Sequence, residues 1–436
     1  MDELLAVLSL QNPHWSQIQQ DTGVKRRRYL HKILRYLETG EIVVLNGVRR
    51  SGKTTLLKQT VDELIQIGKK PSGILFVNCD DPLIQKLQEP LPDILETFQT
   101  NVSADEDITL IFDEIQTIPK WEQWLKAWYD LKKYKIIISG SSAKLLDSGL
   151  SSKISGRYLK IHVYPLDFSE YLQFRNISVP SEKLEFITRR YEIASLLREY
   201  IQYGGFPAAV RIENQDIRKD HLSTYFDSIL FRDIEETHDV RNHSVLRRLL
   251  VYLITNISAP FSYRKLALMY NVDSRIVNDY ISFAEDAFLL FELQNFSYSL
   301  KSQNAGHKKI YTIDTGLRNS VAFSFSADEG RLVENLVFVN LKQNGYSIYF
   351  WKDKNEVDFV IQHRDYTLSA INVCYSDDIP EREIKGLNEF ENAFKGKIKA
   401  RIVITKDVEK EEDGILFIPL YKWLLAGSGD ILQEVE

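Results

Sequence analysis

The stretch Glu41-Ile42-Val43-Val44-Leu45-Asn46-Gly47-Val48-Arg49-Arg50-Ser51-Gly52-Lys53-Thr54-Thr55 decides the fold class. Its first half is apolar and β-branched without alternation, as expected of a strand covered on both faces. From Gly47 to Thr54 it fits G-x-x-x-x-G-K-[ST] in full, and the helical pattern KTTLLKQTVDELIQI follows at once. Strand, glycine loop and helix in that order form the context in which this motif holds phosphate. Glycines let backbone N–H groups turn inward, and a helix N-terminus favours negative charge. Gly47, Arg50, Ser51, Gly52, Lys53, Thr54 and Thr55 are therefore the expected ATP-binding set. Lys53 would neutralise the β- and γ-phosphates, and the Thr54 hydroxyl would ligate Mg²⁺.

A second apolar run, Ile108-Thr109-Leu110-Ile111-Phe112, delivers Asp113 and Glu114 side by side. With the phosphate loop about 60 residues upstream, Asp113 reads as the second Mg²⁺ ligand and Glu114 as the base that polarises the attacking water. The strand YKIIISGSS ends in small hydroxyl residues, so Ser141, or in second place Ser139, is a candidate γ-phosphate sensor. Gly156-Arg157 precedes a fifth strand. Arg157 is either a finger reaching a neighbouring subunit's γ-phosphate or a surface arginine in a turn.

Around this core the chain is ordinary globular material: 436 residues, 44% hydrophobic and 27% charged. The 55 basic and 61 acidic residues give a net charge of −6, so nucleic acid would have to meet a local basic face. The two cysteines, Cys79 and Cys374, exclude a disulfide framework or cysteine-rich zinc site and fit a reducing cytoplasm. MDELLAVLSLQ is a poor signal peptide, and no run of ~20 apolar residues predicts a membrane span. Five buried-type strands (EIVVLNG, GILFVNC, ITLIFDE, YKIIISG, YLKIHVY) predict a parallel sheet over 41–165. A helical arm over 1–40 precedes it, with the anchor QNPHW and the basic run Lys25-Arg26-Arg27-Arg28, which reads first as a solvated helix face and second, from its place just before a strand, as a phosphate or interface contact. A helical lid (166–240) follows, broken at Gly204-Gly205-Phe206-Pro207, then a three-helix-plus-hairpin module (241–322) and a further α/β domain (323–436).

The motifs GVRRSGKTT (47–55), LIFDEIQ (110–116), ISGSSAKLL (138–146), SGRYLKIHVYPLDFSEYL (155–172), YGGFPAAV (203–210) and LFRDI (230–234) together resemble those of AAA+ ATPases that carry a C-terminal domain of unknown function. The resemblance covers nearly the whole chain. It implies an α/β P-loop ATPase with a helical lid, ATP and Mg²⁺ as ligands, and a homo-oligomer, hexameric by family analogy, with Arg232 as the second-choice finger. GGFP is similar to a lid motif whose proline, here Pro207, packs near the nucleotide base. The 241–322 module has winged-helix order, with Ser274, Arg275, Asn278 and Asp279 on its long third helix, and Lys301, His307, Lys308 and Lys309 as a basic wing. Glu285 and Asp286 further along that helix would repel phosphates.

The last domain resembles the PD-(D/E)XK nuclease fold. Asp358 matches the metal-binding Asp, and Glu334 and Glu356 are nearby acids. Asn372 and Cys374 stand where such enzymes carry Glu and Lys, so no DNA cleavage is expected. The function expected is an ATPase that couples Mg·ATP hydrolysis to conformational change, acting on DNA. The alternatives are a nucleotide-dependent switch acting on a protein partner, and an ATP-dependent nuclease.

Overall fold

The computed structural model describes residues 2–18, 20–103, 107–140, 145, 154, 156–180, 183–299, 301, 303, 306–322, 329–426 and 431–432. The chain forms two units, Met1–Val163 and Tyr164–Glu436.

In the first unit the five apolar runs become β1 (Ile42–Asn46), β2 (Ile74–Asn78), β3 (Ile108–Asp113), β4 (Tyr134–Gly140) and β5 (Tyr158–His162). They make one parallel sheet in the order β2-β3-β4-β1-β5. Because successive side chains alternate faces, the sheet carries two cores. Val44, Val77, Leu110 and Ile138 pack with helices α1 (Asp2–Gln11), α4 (Pro90–Asn101) and α5 (Trp121–Leu131). Val43, Leu45, Ile111 and Ile137 pack with α2 (Arg27–Leu37) and α3 (Lys53–Gln66). Fully burying one such aliphatic side chain stabilises the fold by about 1.5–3 kcal/mol.

The N-terminal arm belongs to this unit and closes its free edge. Beside edge strand β2, Asn12 both donates to the Phe76 carbonyl (2.7 Å) and accepts from its N–H (2.7 Å). Gln11 accepts from the Asn78 N–H (2.8 Å), and the Trp15 indole donates to the Ile74 carbonyl (2.8 Å). The QNPHW anchor thus does with side chains what a sixth strand would do with backbone, and blocks edge-to-edge pairing.

The second unit starts with helices. They include Lys183–Thr188 and Arg190–Tyr203, separated at Arg189, and Gln215–Ser228, which runs on into a π-helical turn, Ile229–Glu235. Next come helix His243–Thr255, β6 (Pro260–Phe261), helices Tyr263–Tyr270 and Ser274–Asp286, and the hairpin strands β7 (Leu290–Gln294) and β8 (Lys308–Thr312). These strands form an antiparallel sheet in the order β6-β8-β7. The two-residue β6 is too short to show in a sequence pattern.

The final domain is a mixed six-stranded sheet, β13-β14-β12-β11-β10-β9, led by helix Glu329–Gln343. Its strands are β9 (Ser347–Lys352), β10 (Glu356–Gln362), β11 (Leu368–Cys374), β12 (Ile398–Thr405), β13 (Lys410–Glu412) and β14 (Ile415–Pro419).

Two readings of the 241–322 module are corrected. Lys308 and Lys309 do not form an exposed wing: Lys308 pairs with Glu292 (2.5 Å), and Lys309 is 2% exposed among carboxylates. Glu285 faces inward, accepting the Glu292 N–H (2.7 Å), and burial pushes its carboxyl up to about 6. Its carboxylate is thus engaged by the β7 backbone rather than held out on a groove face.

Candidate nucleotide site

The phosphate loop and the two acids of this site come from the carboxyl ends of parallel strands, where an open α/β sheet leaves its crevice. Strand register aligns Asn46 with Gly140 and Asn78 with Asp113. The loop after β1 turns at Gly47, where a Cβ would lie 2.1 Å from the Val163 carbonyl oxygen, so no larger residue fits. Arg50 and Gly52 take positive φ (69° and 97°), and the loop then enters α3. Arg50 is exposed, Ser51 and Lys53 are buried, and Thr54 and Thr55 open to solvent. The Lys53 ammonium donates to the Gly47 (3.0 Å) and Val48 (3.1 Å) carbonyls and so lies along the loop.

The two acids behind the loop are held differently. Asp113 is buried. One of its oxygens accepts from the Thr54 hydroxyl (2.6 Å) and the other from the Ser139 hydroxyl. Glu114 is half-buried in the left-handed region (φ 53°), a sparsely populated conformation for a non-glycine residue. Its N–H donates to Ser139 Oγ (3.3 Å), while its carboxylate accepts from Gln116 Nε2 (2.5 Å). The backbone reversal thus turns two consecutive carboxylates to different partners. Beside them, burial followed by the charge of Asp113 pushes the Cys79 thiol well above its ordinary range, which keeps it neutral.

Several buried polar atoms near the loop have no hydrogen-bond partner among the described residues. They include Ser51 Oγ and both amide atoms of Asn46, at the last position of β1. Buried groups of this kind normally carry a partner, so a phosphate and its water shell fit the place. Thr54 and Asp113 offer two hard oxygen ligands side by side, which suits Mg²⁺, an ion that fills the rest of its shell with water and phosphate oxygens. Among the described residues no group of three or more His, Cys, Asp or Glu side chains could hold a metal by itself.

One contributor escaped the sequence reading. Arg26, from the basic run read as solvated, is 4% exposed; its Nη1 donates to the Ser51 carbonyl (3.0 Å) and its guanidinium lies 4.5 Å from the Tyr29 ring centre. Gln59 of α3 fixes the approach by donating to the Thr22 (3.0 Å) and Val24 (2.8 Å) carbonyls and accepting from the Arg26 N–H (3.3 Å).

An AAA domain profile matches residues 39–172, and two profiles for domains of unknown function match 194–328 and 329–423. An uncharacterized protein of Methanocaldococcus jannaschii is 33% identical over 411 residues, covering 88% of this chain and 88% of that one. The chain belongs to the AAA-domain family. Another relative, an uncharacterized protein of Haemophilus influenzae, is 30% identical over 412 residues, covering 92% of this chain and 98% of its own. Among solved structures, the Walker-type ATPase of Pyrococcus abyssi aligns with a TM-score of 0.44 at 16% identity, over 68% of this chain and 95% of that one. The Aeropyrum pernix ORC1 protein in complex with DNA gives 0.31 at 14% identity, over 69% and 92%.

In this AAA-domain chain the remaining candidates fall as follows. Ser141 lies outside the described residues. Arg157 sits just before β5, its carbonyl accepting the Ile42 N–H (3.0 Å), and its guanidinium lies 3.8 Å from Asp130. The phosphate loop leaves the other end of β1, a strand length or about 16 Å away, so Arg157 is not part of its own subunit's phosphate site. Arg232 is exposed on the π-helical turn. Pro207 opens the short helix Pro207–Val210, and the glycines before it are anchored by the buried Asp314, which accepts the Gly205 N–H (2.7 Å). Among the described residues no helix is long and apolar enough to cross a membrane.

Proposed function

We propose that the chain hydrolyses ATP with Mg²⁺ at the 47–55 loop and uses the cycle to drive conformational change. The observation that carries this is the division of labour at the end of β3. Asp113, bonded to Thr54, suits a metal-shell carboxylate, and Glu114, turned the other way onto the Gln116 amide, suits a base that polarises a water. Lys53 would exchange its two carbonyl partners for phosphate oxygens, a stronger charge-assisted contact. Ser139, bridging Asp113 and the Glu114 N–H, supplies the hydroxyl nearest both acids. The bound ion would add charge neutralisation at the γ-phosphate. Glu114→Gln keeps the shape and the Asp113 ligand but removes the base, so ATP still binds while turnover falls by about 10²–10⁴. Phosphate release at the parent rate would refute the assignment.

The macromolecule we infer is DNA. The order helix–strand–helix–helix–strand–strand over 243–312, with its three-stranded antiparallel sheet, supports a winged-helix reading. Helix Ser274–Asp286 exposes Ser274, Arg275, Asn278, Asp279 and Ser282 on one face, and the helix before it exposes Arg264 and Lys265. Polar readers flanked by cations suit a duplex groove. Salt-sensitive DNA binding with DNA-stimulated hydrolysis supports this reading; stimulation by a protein partner alone selects the regulatory-switch alternative. Arg157 acting in trans, or Arg232 in its place, calls for a homo-oligomer, six subunits by family analogy. The final domain keeps a nuclease-like fold without cutting DNA.

A further inference from the structure

Among the described residues of the second unit, a cluster of interior charges gathers around one lysine. β8 carries Lys309 and Tyr311 two residues apart, on one face of the strand. β10 brings Glu356 and Asp358, also two apart, at a register irregularity between Val357 and Val360 that re-aims the strand. Helix Glu329–Gln343 adds Glu334. The Lys309 ammonium lies 2.7 Å from Glu356, 3.2 Å from Glu334 and 3.8 Å from Asp358, and the Tyr311 hydroxyl donates to Glu334 (2.6 Å). The lysine side chain is 2% exposed, against 28%, 14% and 17% for the three acids, so the cation is the innermost member. Carboxylates from two elements of one domain thus converge on an ammonium delivered by another module.

We propose that Lys309 is the resident cation of this carboxylate centre, filling from within the place where such acids would collect a divalent ion, and that it ties the 243–312 module to the C-terminal sheet as one body.

The charges support such a closed centre. Burial works against the Lys309 charge, but Glu334, Asp358 and Glu356 outweigh it and raise its pKa. Burial also opposes Glu356, yet Lys309 and Lys352, whose ammonium lies 2.9 Å away, hold its carboxyl below the usual range. Asp358 goes the other way, raised well above the carboxylate range by burial and then by Glu334. Glu383, which also faces Asp358, is raised by burial and pairs with Arg382 (3.0 Å). Lys309 lies against both Glu334 and Glu356, and Lys352 lies against Glu356 from the other side, so these carboxylates already hold cations. The neighbouring residues are also fixed. Asn372 accepts the Asp358 N–H (3.0 Å) and donates to the Glu383 carbonyl (2.9 Å), and Asp358 accepts the Val373 N–H (2.9 Å). The tie is reinforced beside it, where Asn335 exchanges two hydrogen bonds with Thr312 (2.8 and 2.9 Å) and Tyr311 stacks on Phe338 (4.3 Å).

The test uses the full chain and Mn²⁺ as probe. In Lys309→Met the thermal midpoint falls by several degrees, and one Mn²⁺ equivalent appears in electron paramagnetic resonance titration that vanishes when Asp358→Asn is added. The double variant also regains part of the lost midpoint. The parent and its Asp358→Asn variant bind Mn²⁺ alike. A parent chain that loses a Mn²⁺ equivalent on Asp358→Asn overturns the proposal, and this arm stands even if Lys309→Met fails to fold. A folded Lys309→Met with an unchanged midpoint and no added Mn²⁺ overturns it as well. Glu114→Gln plays no part in these readings, so failure here leaves the ATPase reading untouched.

Discussion

Lys53 and Lys309 are both buried lysines, but their surroundings give them opposite uses. Lys53 rests on two neutral backbone carbonyls, contacts that an arriving phosphate can outcompete. Lys309 is surrounded by three carboxylates and is already part of a paired charge cluster. A buried cation is available to a ligand only when its existing partners are weaker than the ligand. By this criterion the first unit holds an open anion site and the second a closed one, although the second carries more acids and looks richer in chemistry.

The sharpest way to break the comparison is to remove each lysine in turn. Lys53→Ala should abolish detectable ATP binding, measured with a fluorescent analogue, and lower the melting midpoint of the chain far less than Lys309→Met does. Lys309→Met should do the reverse, keeping nucleotide affinity and losing stability. If both variants lost nucleotide binding equally, the distinction between an open and a closed lysine would fail.

Arg157 supplies an intermediate case. It is more than a third exposed, lies 3.8 Å from the Asp130 carboxylate and sits over the Tyr129 ring (5.7 Å). As a finger in trans it stabilises transition-state charge, and Arg157→Ala should lower turnover about 10³-fold with ATP affinity intact. A turnover that depends on protein concentration in the parent, and loses that dependence in the variant, is the matching readout. A monomer by light scattering with full activity in every nucleotide state would remove Arg157 and Arg232 together. On the stability side, breaking a buried ion pair from one end costs about 3–5 kcal/mol, the scale expected for Lys309→Met in a denaturant series. Removing the exposed Lys352 partner should cost well under 1 kcal/mol.

The parallel sheet was legible in the sequence because β1 to β3 and most of β4, buried on both faces, read as apolar runs; the edge strand β5 is only partly buried and carries Lys160 and His162. The phosphate loop was legible because its chemistry is local, with strand, turn and helix start contiguous in the chain. What stayed hidden depends on partners distant in sequence. Lys309 read as a wing cation because Glu334, Glu356 and Asp358 come from later elements that only the fold brings to β8. Glu285 read as an exposed acid because its acceptor role toward Glu292 depends on a turn absent from the helical pattern. Charge runs are similarly ambiguous. In Lys25-Arg26-Arg27-Arg28, Lys25 pairs with Glu63 (2.8 Å), Arg27 and Arg28 are exposed, and only Arg26 turns in.

The smallest expected effect belongs to Arg26, and it sharpens the comparison by asking what holds the open site in shape. Its guanidinium reaches the Ser51 carbonyl from outside the loop, so it acts on nucleotide through the loop rather than by touching phosphate. A hydrogen bond to a charged donor is worth about 1.5–3 kcal/mol, part of which is expressed only when the loop must hold one conformation. Arg26→Ala should therefore raise the KM for ATP about tenfold while kcat stays within a factor of about two, a split that general unfolding would not produce. Arg26→Lys should recover part of the affinity, because an ammonium can still donate to Ser51 but cannot lie flat against Tyr29. A fall in kcat with unchanged KM would instead make Arg26 a participant in the chemical step and overturn its role as a brace.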